Sequence, residues 1–548
     1  MRELTTGSGD RNLPRVRVVV GGERVPVWVA CLRDALEESG QVEFVGVSVA
    51  ASIDSGDAAA EGAYLSLNMA SLAWADTRLF ARRATLLQPA VRDDWCFGGC
   101  SSPDCADIVL DLTGGSVSRD ALEATEGSVW WLTGVPTSTD WPGIRRPEIA
   151  AAVIEGRRTI GFDLVAWDRK RDSPAIFATA TCPTHPCSPL MTAAYLAGTA
   201  LRLVVKELER ASADGSPHAI ASAPPGESIR KQASSRRGRR AHDSCRASWL
   251  APAYIVRTGS WGARRIGWIQ QWYLLVGAVP LEWPVVDPGG LSPIIPPAGH
   301  FWADPAVVAD GASTHVFFED FEHEVGKGRI SVLSVDGAGR HGPARCVLEA
   351  DSHLSYPFVF RHDGRLFMIP ESADAGTVDL YECLNLPQQW QFRRSLLRNV
   401  RLVDASIVQW DGLWWMFACL QLPSGLRGAD VLVLYVAEDP VIGDWREHPA
   451  SPLLADVRGS RPAGAPFVRE GRLYRPAQDG SRGYGWGIAV NEVLSLTPTR
   501  FEERRVAMVT PDFGRGVCGV HTMNRAGGRM VMDACRWAPR HPSPRPHA

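Results

Sequence analysis

Five times between His300 and Asp533 the chain passes through an apolar run, a turn on a small residue, and a second apolar run. The turns read Asp310-Gly311, Asp363-Gly364, Asp411-Gly412, Glu470-Gly471 and Gly527-Gly528. Such pairs take up the left-handed backbone that joins two antiparallel strands tightly, so each copy predicts a hairpin. Counted from Gly311 to Gly364, Gly412, Gly471 and Gly528, the copies lie 53, 48, 59 and 57 residues apart. That spacing suits a propeller blade and is too long for a solenoid coil. The repeat therefore predicts an all-β five-bladed propeller over residues 249–537.

The repeat leaves about half of the 548 residues to another domain, so the chain is multidomain. Lys and Arg number 58 against 61 Asp and Glu, a net charge of -3, which gives no general reason to expect nucleic acid or an anionic surface as partner. The 20 Trp outnumber the 9 Tyr and the 17 Phe, a bias that serves flat apolar ligands such as sugar rings as well as core packing. Residues 1–14 are polar, lack the layout of a secretory signal and are expected to be disordered. The longest apolar helix candidate, Leu190 to Val205, is interrupted by Arg202 and is short for a membrane span. A cytoplasmic protein with its 12 cysteines as thiols is the expectation.

Ahead of the repeat, Arg15 to Val20 reads as a strand, Val25 to Glu38 as a helix with Val29, Leu32 and Leu36 on one stripe, and Val42 to Val49 as a second strand. This β-α-β opening implies a parallel sheet with helices on its faces. Further strands are expected at Asp107 to Leu112, Val129 to Leu132, Thr159 to Val165 and Ala175 to Thr181, with a helix from Pro189 to Glu209. Gly21-Gly22 is no dinucleotide fingerprint, because the next glycine is Gly40.

The strand Asp107 to Thr113, the Val129-Trp-Trp-Leu strand and the late helix resemble a formyltransferase domain over residues 15–210. The resemblance implies that α/β fold. The Asn-x-His and Ser-Leu-Leu-Pro segments of that family have no match at Thr133 to Trp141 or Pro142 to Arg146, so the fold is carried over without the activity. Cys96, Cys100 and Cys105, and Cys182, His185 and Cys187, lack a tight Cys-x-x-Cys pair and are read as unliganded, with no metal or cofactor expected. Residues 211–248 read as a flexible linker, whose Arg236, Arg237, Arg239 and Arg240 are solvated, and residues 538–548 as a disordered tail. Ala251 to Trp272 is expected to be a helix and Trp272 to Val276 a strand leading into the propeller.

Aligned on the turns, Asp304, Tyr356 and Asp404 lie six or seven residues before the acidic turn residue of their copies. Glu371, Cys419, Gln478 and Cys535 fall seven residues beyond the second turn residue, and Glu319 eight. First strands line a propeller's channel, so these positions should converge on an axial pocket. Polar residues in apolar strands are costly unless paired or used. Glycoside cleavage demands one carboxyl kept protonated for the leaving oxygen and another ionised. Asp304 is the expected base, Glu371 the acid and Asp404 a modulator. Trp302, Glu319, His353, Tyr356, Arg461, Arg475, Gln478 and His521 are the expected substrate-binding ring.

The motifs His300-Phe-Trp-Ala-Asp-Pro, His353-Leu-Ser-Tyr-Pro-Phe, Ile369-Pro-Glu-Ser, Leu402-Val-Asp-Ala-Ser, Arg461-Pro-Ala-Gly, Tyr474-Arg-Pro-Ala-Gln-Asp and Gly519-Val-His-Thr resemble the N-terminal domain of the plant glucosamine inositolphosphorylceramide transferase family. That domain is similar in turn to the five-bladed arabinanase and xylosidase hydrolases, which place an Asp base in the first blade and a Glu acid in the third. Here Asp304 keeps the first position, while the third copy carries Asp404 and the Glu stands in the second. The family's sugar-transfer module is a separate C-terminal domain, which is not expected here. The resemblance implies a carbohydrate-active enzyme that takes a sugar or glycoconjugate in the channel. A non-catalytic glycan-recognition scaffold, or formyl or acyl transfer to an amino sugar by the N-terminal domain, are the alternatives.

Overall fold

A computed structural model describes residues 13–20, 25–49, 89–90, 106–112, 128–135, 147–168, 173–213, 247–279, 288–421 and 430–539. Two compact units emerge: Met1–Glu148, Gly161–Ala180 and Leu196–His242 form one, and Ile149–Ile160, Thr181–Tyr195 and Asp243–Ala548 the other. Cys96, Cys100, Cys105 and the arginines of the expected linker lie outside the described residues.

The α/β part holds a six-stranded sheet in the order Glu43–Val49, Arg15–Val20, Ile108–Asp111, Ser128–Thr133, Thr159–Asp168 and Ser173–Pro183. Val16, Val18 and Val20 alternate into the core, as a strand with one buried face requires. The first four strands run parallel, but Thr159–Asp168 pairs antiparallel with Ser128–Thr133, so the sheet is mixed rather than parallel throughout. The helix before it, Pro147–Ile154, has 8 residues. It spans roughly 12 Å and cannot by itself carry the chain back along the sheet. The first helix, Val27–Ser39, starts two residues later than expected because Val25–Pro26 pairs with Pro89–Ala90.

The second unit is a ring of five sheets. Blade I comprises His300–Asp310, Ser313–Glu322, Lys327–Val335 and Arg345–Leu348, and blade II Ser355–His362, Arg365–Glu371, Thr377–Asn385 and Gln389–Arg398. Blade III comprises Leu402–Trp410, Leu413–Leu420, Leu432–Ala437 and Arg446–Glu447, and blade IV Phe467–Arg469, Arg472–Asp479, Gly487–Thr497 and Arg500–Val509. Blade V is composite: Trp268–Ala278 lies between Ser292–Ile294 and Arg529–Pro539, and Val517–Gly519 and Met523–Ala526 pair with the inner edge of Arg529–Pro539. The expected helix over 251–272 therefore ends early: it occupies Ala247–Gly267, and Trp268 already belongs to a strand.

Buried clusters bridge every neighbouring pair of blades. Leu366 and Met368 pack on Ala306 and Phe317 between blades I and II, and Phe367 and Trp414 share a core between II and III. Leu473 meets Trp415 between III and IV, Ile488 meets Met532 between IV and V, and Leu274 meets Val316 between V and I. Four hairpins have both turn residues left-handed, with φ of 47° and 74° at Asp363-Gly364 and similar values at Asp411-Gly412, Glu470-Gly471 and Gly527-Gly528. In blade I, Asp310 pairs with Ser313, so its loop is Gly311-Ala312, one residue later than the sequence alignment placed it.

Candidate functional site

That one-residue shift brings the repeats into closer register. Asp304, Tyr356 and Asp404 now each stand seven residues before the first loop residue, and all three have positive φ, of 53°, 41° and 55°. Each sits in a bulge where the first strand loses register with the second, between Ala303 and Ala306, Ser355 and Phe358, and Val403 and Ser406. A bulge re-aims one side chain and bends the strand end. Across from it, Ala303 pairs with Glu319, Ser355 with Glu371, Val403 with Cys419 and Gly519 with Cys535. The bulge and its partner thus place two side chains per blade at the same end of the ring.

A cavity of about 250 Å³ opens there, lined by Asp304, Glu319, Glu371, His353, Arg461 and His521 among the expected residues, with Trp272, Phe301, Phe321 and Tyr484 as aromatic walls. Asp404 lies directly behind the wall, buried, and accepts from Arg461 Nε at 2.5 Å and Nη2 at 3.3 Å and from Gln478 Nε2 at 3.0 Å. Gln478 also donates to the Pro462 carbonyl and so fixes Asp404 without reaching the cavity.

Besides Gln478, three more expected ring members are set elsewhere. Trp302 points to the opposite face of its strand from Phe301 and Ala303, packs in the core between blades V and I, and donates to Asp320 at 3.0 Å. The Tyr356 hydroxyl bonds Ser406 at 2.8 Å and accepts from the Gly464 amide at 2.7 Å, stitching blades II, III and IV. Arg475 is fully buried in blade IV, paired with Glu503 at 2.6 Å and donating to the Gly459 and Ser460 carbonyls.

Asp533 is one residue that sequence reasoning missed. Fully buried, it accepts the backbone amides of His521 and Thr522 through Oδ1 at 2.9 and 3.0 Å and that of Asp304 through Oδ2 at 2.9 Å. His521 Nδ1 lies 2.8 Å from Asp533 Oδ2, a charge contact rather than an aligned hydrogen bond, and its Nε2 lies 3.3 Å from Asp304 Oδ1. Thr522 donates to Asp304 Oδ1 at 2.8 Å. A lone Asp in the apolar run Met530-Val-Met-Asp-Ala was the available signal, since a buried carboxylate needs partners. Tyr484 was missed as well, being a loop residue outside the repeat; its ring lies 5.4 Å from His521 and 5.4 Å from the Arg461 guanidinium.

Electrostatics sort these groups. Burial would lower the His521 imidazole pKa, but Asp533 and Asp304 outweigh it and raise it to about 9, so His521 is a cation at neutral pH. Burial raises Asp304 to about 6 with help from Asp404 and Asp533, while His521 and Thr522 hold it down. Glu319 is raised well above the usual range by burial and then by Asp304 and Glu371. Glu371 is raised likewise by burial and then Asp404, with Arg461 opposing. The cavity therefore sets one carboxyl that ionises near neutrality beside two that favour the neutral acid. Burial lowers His353, whose Nε2 is 3.4 Å from Glu319. Asp304, His521 and Asp533 could offer three ligand atoms within 4.8 Å of one another to a metal ion. Asp533 already accepts three backbone amides, which fixes its carboxylate beside His521 and Asp304. At the other soft cluster, Cys187 Sγ and His185 Nδ1 are 3.7 Å apart.

Residues 259–522 match the profile of a family described as glucosamine inositolphosphorylceramide transferase 1, N-terminal. The glucosamine inositolphosphorylceramide transferase 1 of Oryza sativa subsp. japonica is 33% identical over 228 residues, 40% of this chain and 30% of the relative. That of Arabidopsis thaliana is 30% identical over 230 residues, 41% of this chain and 30% of the relative. The chain thus spans about 30% of the length of the curated relatives it matches. Among solved structures, the family 117 glycoside hydrolase Zg3597 of Zobellia galactanivorans aligns with a TM-score of 0.33 at 10% identity, over 49% of this chain and 91% of that one. The RS223 β-xylosidase aligns with a TM-score of 0.32 at 14% identity, over 44% and 92%. The C-terminal region is a five-bladed propeller that matches the N-terminal family of these transferases.

Proposed function

We propose that the propeller cavity binds a glycosyl unit and cleaves or transfers it by acid–base chemistry. What carries this reading is the pairing, in one aromatic-walled cavity, of Asp304, ionised near neutral pH, with Glu371, held as the acid. Glu371 donates its proton to the leaving glycosidic oxygen, while Asp304 takes one from the attacking water or acceptor hydroxyl. His521 and Thr522 orient Asp304, and Asp404 holds Glu371 in its proton-donating form. The relatives are named for glucosamine, so amino sugars belong among the candidate substrates.

The test is turnover of a panel of aryl glycosides, amino sugars included, by wild type and Asp304→Asn, with calorimetric binding of glucosamine and glucose alongside. Expected is turnover of at least one glycoside, reduced about 10²–10⁴-fold by the substitution with binding retained. Equal turnover by the variant sinks the catalytic reading; binding without turnover by either protein favours the recognition scaffold, to which the occupied oxygens of Asp404 lend support.

For residues 15–210 we carry forward the formyltransferase-like fold as a proposal supported by the parallel half of the sheet, tested by folate binding to the full chain. A cytoplasmic location is proposed on the unbridged cysteines among the described residues, with cell fractionation as its test. Among those residues no helix is long and apolar enough to cross a membrane.

A further inference from the structure

The two cysteines beside the cavity play no part in the chemistry above. Cys518 Sγ and Cys535 Sγ lie 3.5 Å apart, on neighbouring strand segments of blade V that pair through Gly519 and Cys535. Cys535 is fully buried, packed against Trp272 and Ala303, whereas Cys518 is part-exposed at the margin of the same cluster. We infer that Cys518 and Cys535 are a redox modification site, closed to a disulfide by a small-molecule disulfide such as oxidised glutathione.

The chemistry balances in two exchanges. Cys518, as thiolate, attacks one sulfur of the small disulfide, giving a mixed disulfide and expelling one small thiolate. Cys535 then attacks Cys518 Sγ and expels the second, and the two protein protons end on the two small thiols. The polarity suits this order. The hydrogen bond with Cys535 lowers the pKa of Cys518, against burial and with help from Arg264. That same contact raises the thiol of Cys535, with burial and the Cys518 charge adding to it. Once Cys518 is in a mixed disulfide its charge is gone, and two of the restraints on Cys535 go with it. An exposed, polarised thiol next to a buried resolving one is the arrangement expected of redox-sensitive pairs.

Closure draws the sulfurs from 3.5 Å to about 2.05 Å and ties Val517–Gly519 to Arg529–Pro539. These segments flank His521 and Asp533, and Trp272, which covers Cys535, stacks 4.3 Å from His521. The bond would therefore fasten the edge of the cavity that holds Asp304.

The experiment treats the folded full chain with excess oxidised glutathione, alkylates the remaining thiols, digests, and maps disulfides by mass spectrometry. Expected is a Cys518–Cys535 linked peptide with a loss of two alkylatable thiols, slower amide exchange over residues 517–523, and in Cys535→Ser a lasting glutathione adduct on Cys518. Because Cys535 is buried, Cys518→Ser serves as a second variant that should give neither link nor slowing. A glutathione adduct that persists on Cys518 of the wild type, or two thiols still free after treatment, overturns the inference.

Discussion

At the scale of single residues, the cavity works by holding charges where water would not. His521 is raised from 6.5 to about 9 in the folded protein, so its ion pairing stabilises the fold fully below pH 6.5 and is lost as pH rises through 9. Asp304, raised to about 6, is ionised in both folded and unfolded chains over that window and adds no slope there. The shift corresponds to something on the order of 3 kcal/mol. Urea unfolding at pH 7 and pH 10 should show wild type losing about that much more stability than His521→Asn, whose remaining loss reflects Glu319 and Glu371, neutral in the fold and ionised in the unfolded chain. Asp304 gives a second pH signature: as a base it must be ionised, so kcat/KM should fall about tenfold per pH unit below 6 and level off above it. A pH profile with no acid limb would remove Asp304 from that role.

At the scale of elements, the bulge is the unit that repeats. In blade IV, just ahead of the first strand, Gly464 has φ 125°, and an added Cβ there would run into the Met523 carbonyl oxygen of blade V. Gly471, in the neighbouring hairpin at φ 70°, has open space around it. Gly464→Ala should therefore cost several kcal/mol, through backbone displacement, while Gly471→Ala should cost about 1 kcal/mol from backbone strain alone. Chemical denaturation of both variants checks the contrast, and equal losses would deny the close approach of Gly464 to Met523. The same regularity explains what the sequence alone displays. Asp304, Asp404, Glu319 and Glu371 were legible because hairpin register fixes their offsets from the turn. Trp302 and Tyr356 were misplaced into the binding ring because sequence spacing does not say which face of a bulged strand a side chain takes. Arg475 was misread because its partner Glu503 lies two strands away in the same blade, a pairing no local pattern displays. Asp533 and Tyr484 escaped for a related reason: one sits in the composite blade and the other in a loop outside the repeat.

At the scale of the propeller, everything rests on closure, because five blades bury their faces only if the last meets the first. The chain achieves this by lending Trp268–Ala278, which precedes blade I, to the sheet that contains its last strand. Leu274 stands at the middle of that strand: fully buried, it pairs with Asp533 on one side and Ile294 on the other and packs against Val316 of blade I. A proline there removes a ladder hydrogen bond and clashes inside a central strand, so Leu274→Pro should cost at least ~3 kcal/mol. Trp268→Pro, at the first position of the same strand and paired only with Pro539, should cost far less. Because Asp533 is the register partner of Leu274, the first substitution should also loosen the amides that hold His521 and Asp304, and so flatten the alkaline loss of stability argued above. If Leu274→Pro instead unfolds at the wild-type urea concentration with its pH dependence intact, the inserted strand is not what closes the ring, and the site cannot owe its geometry to it.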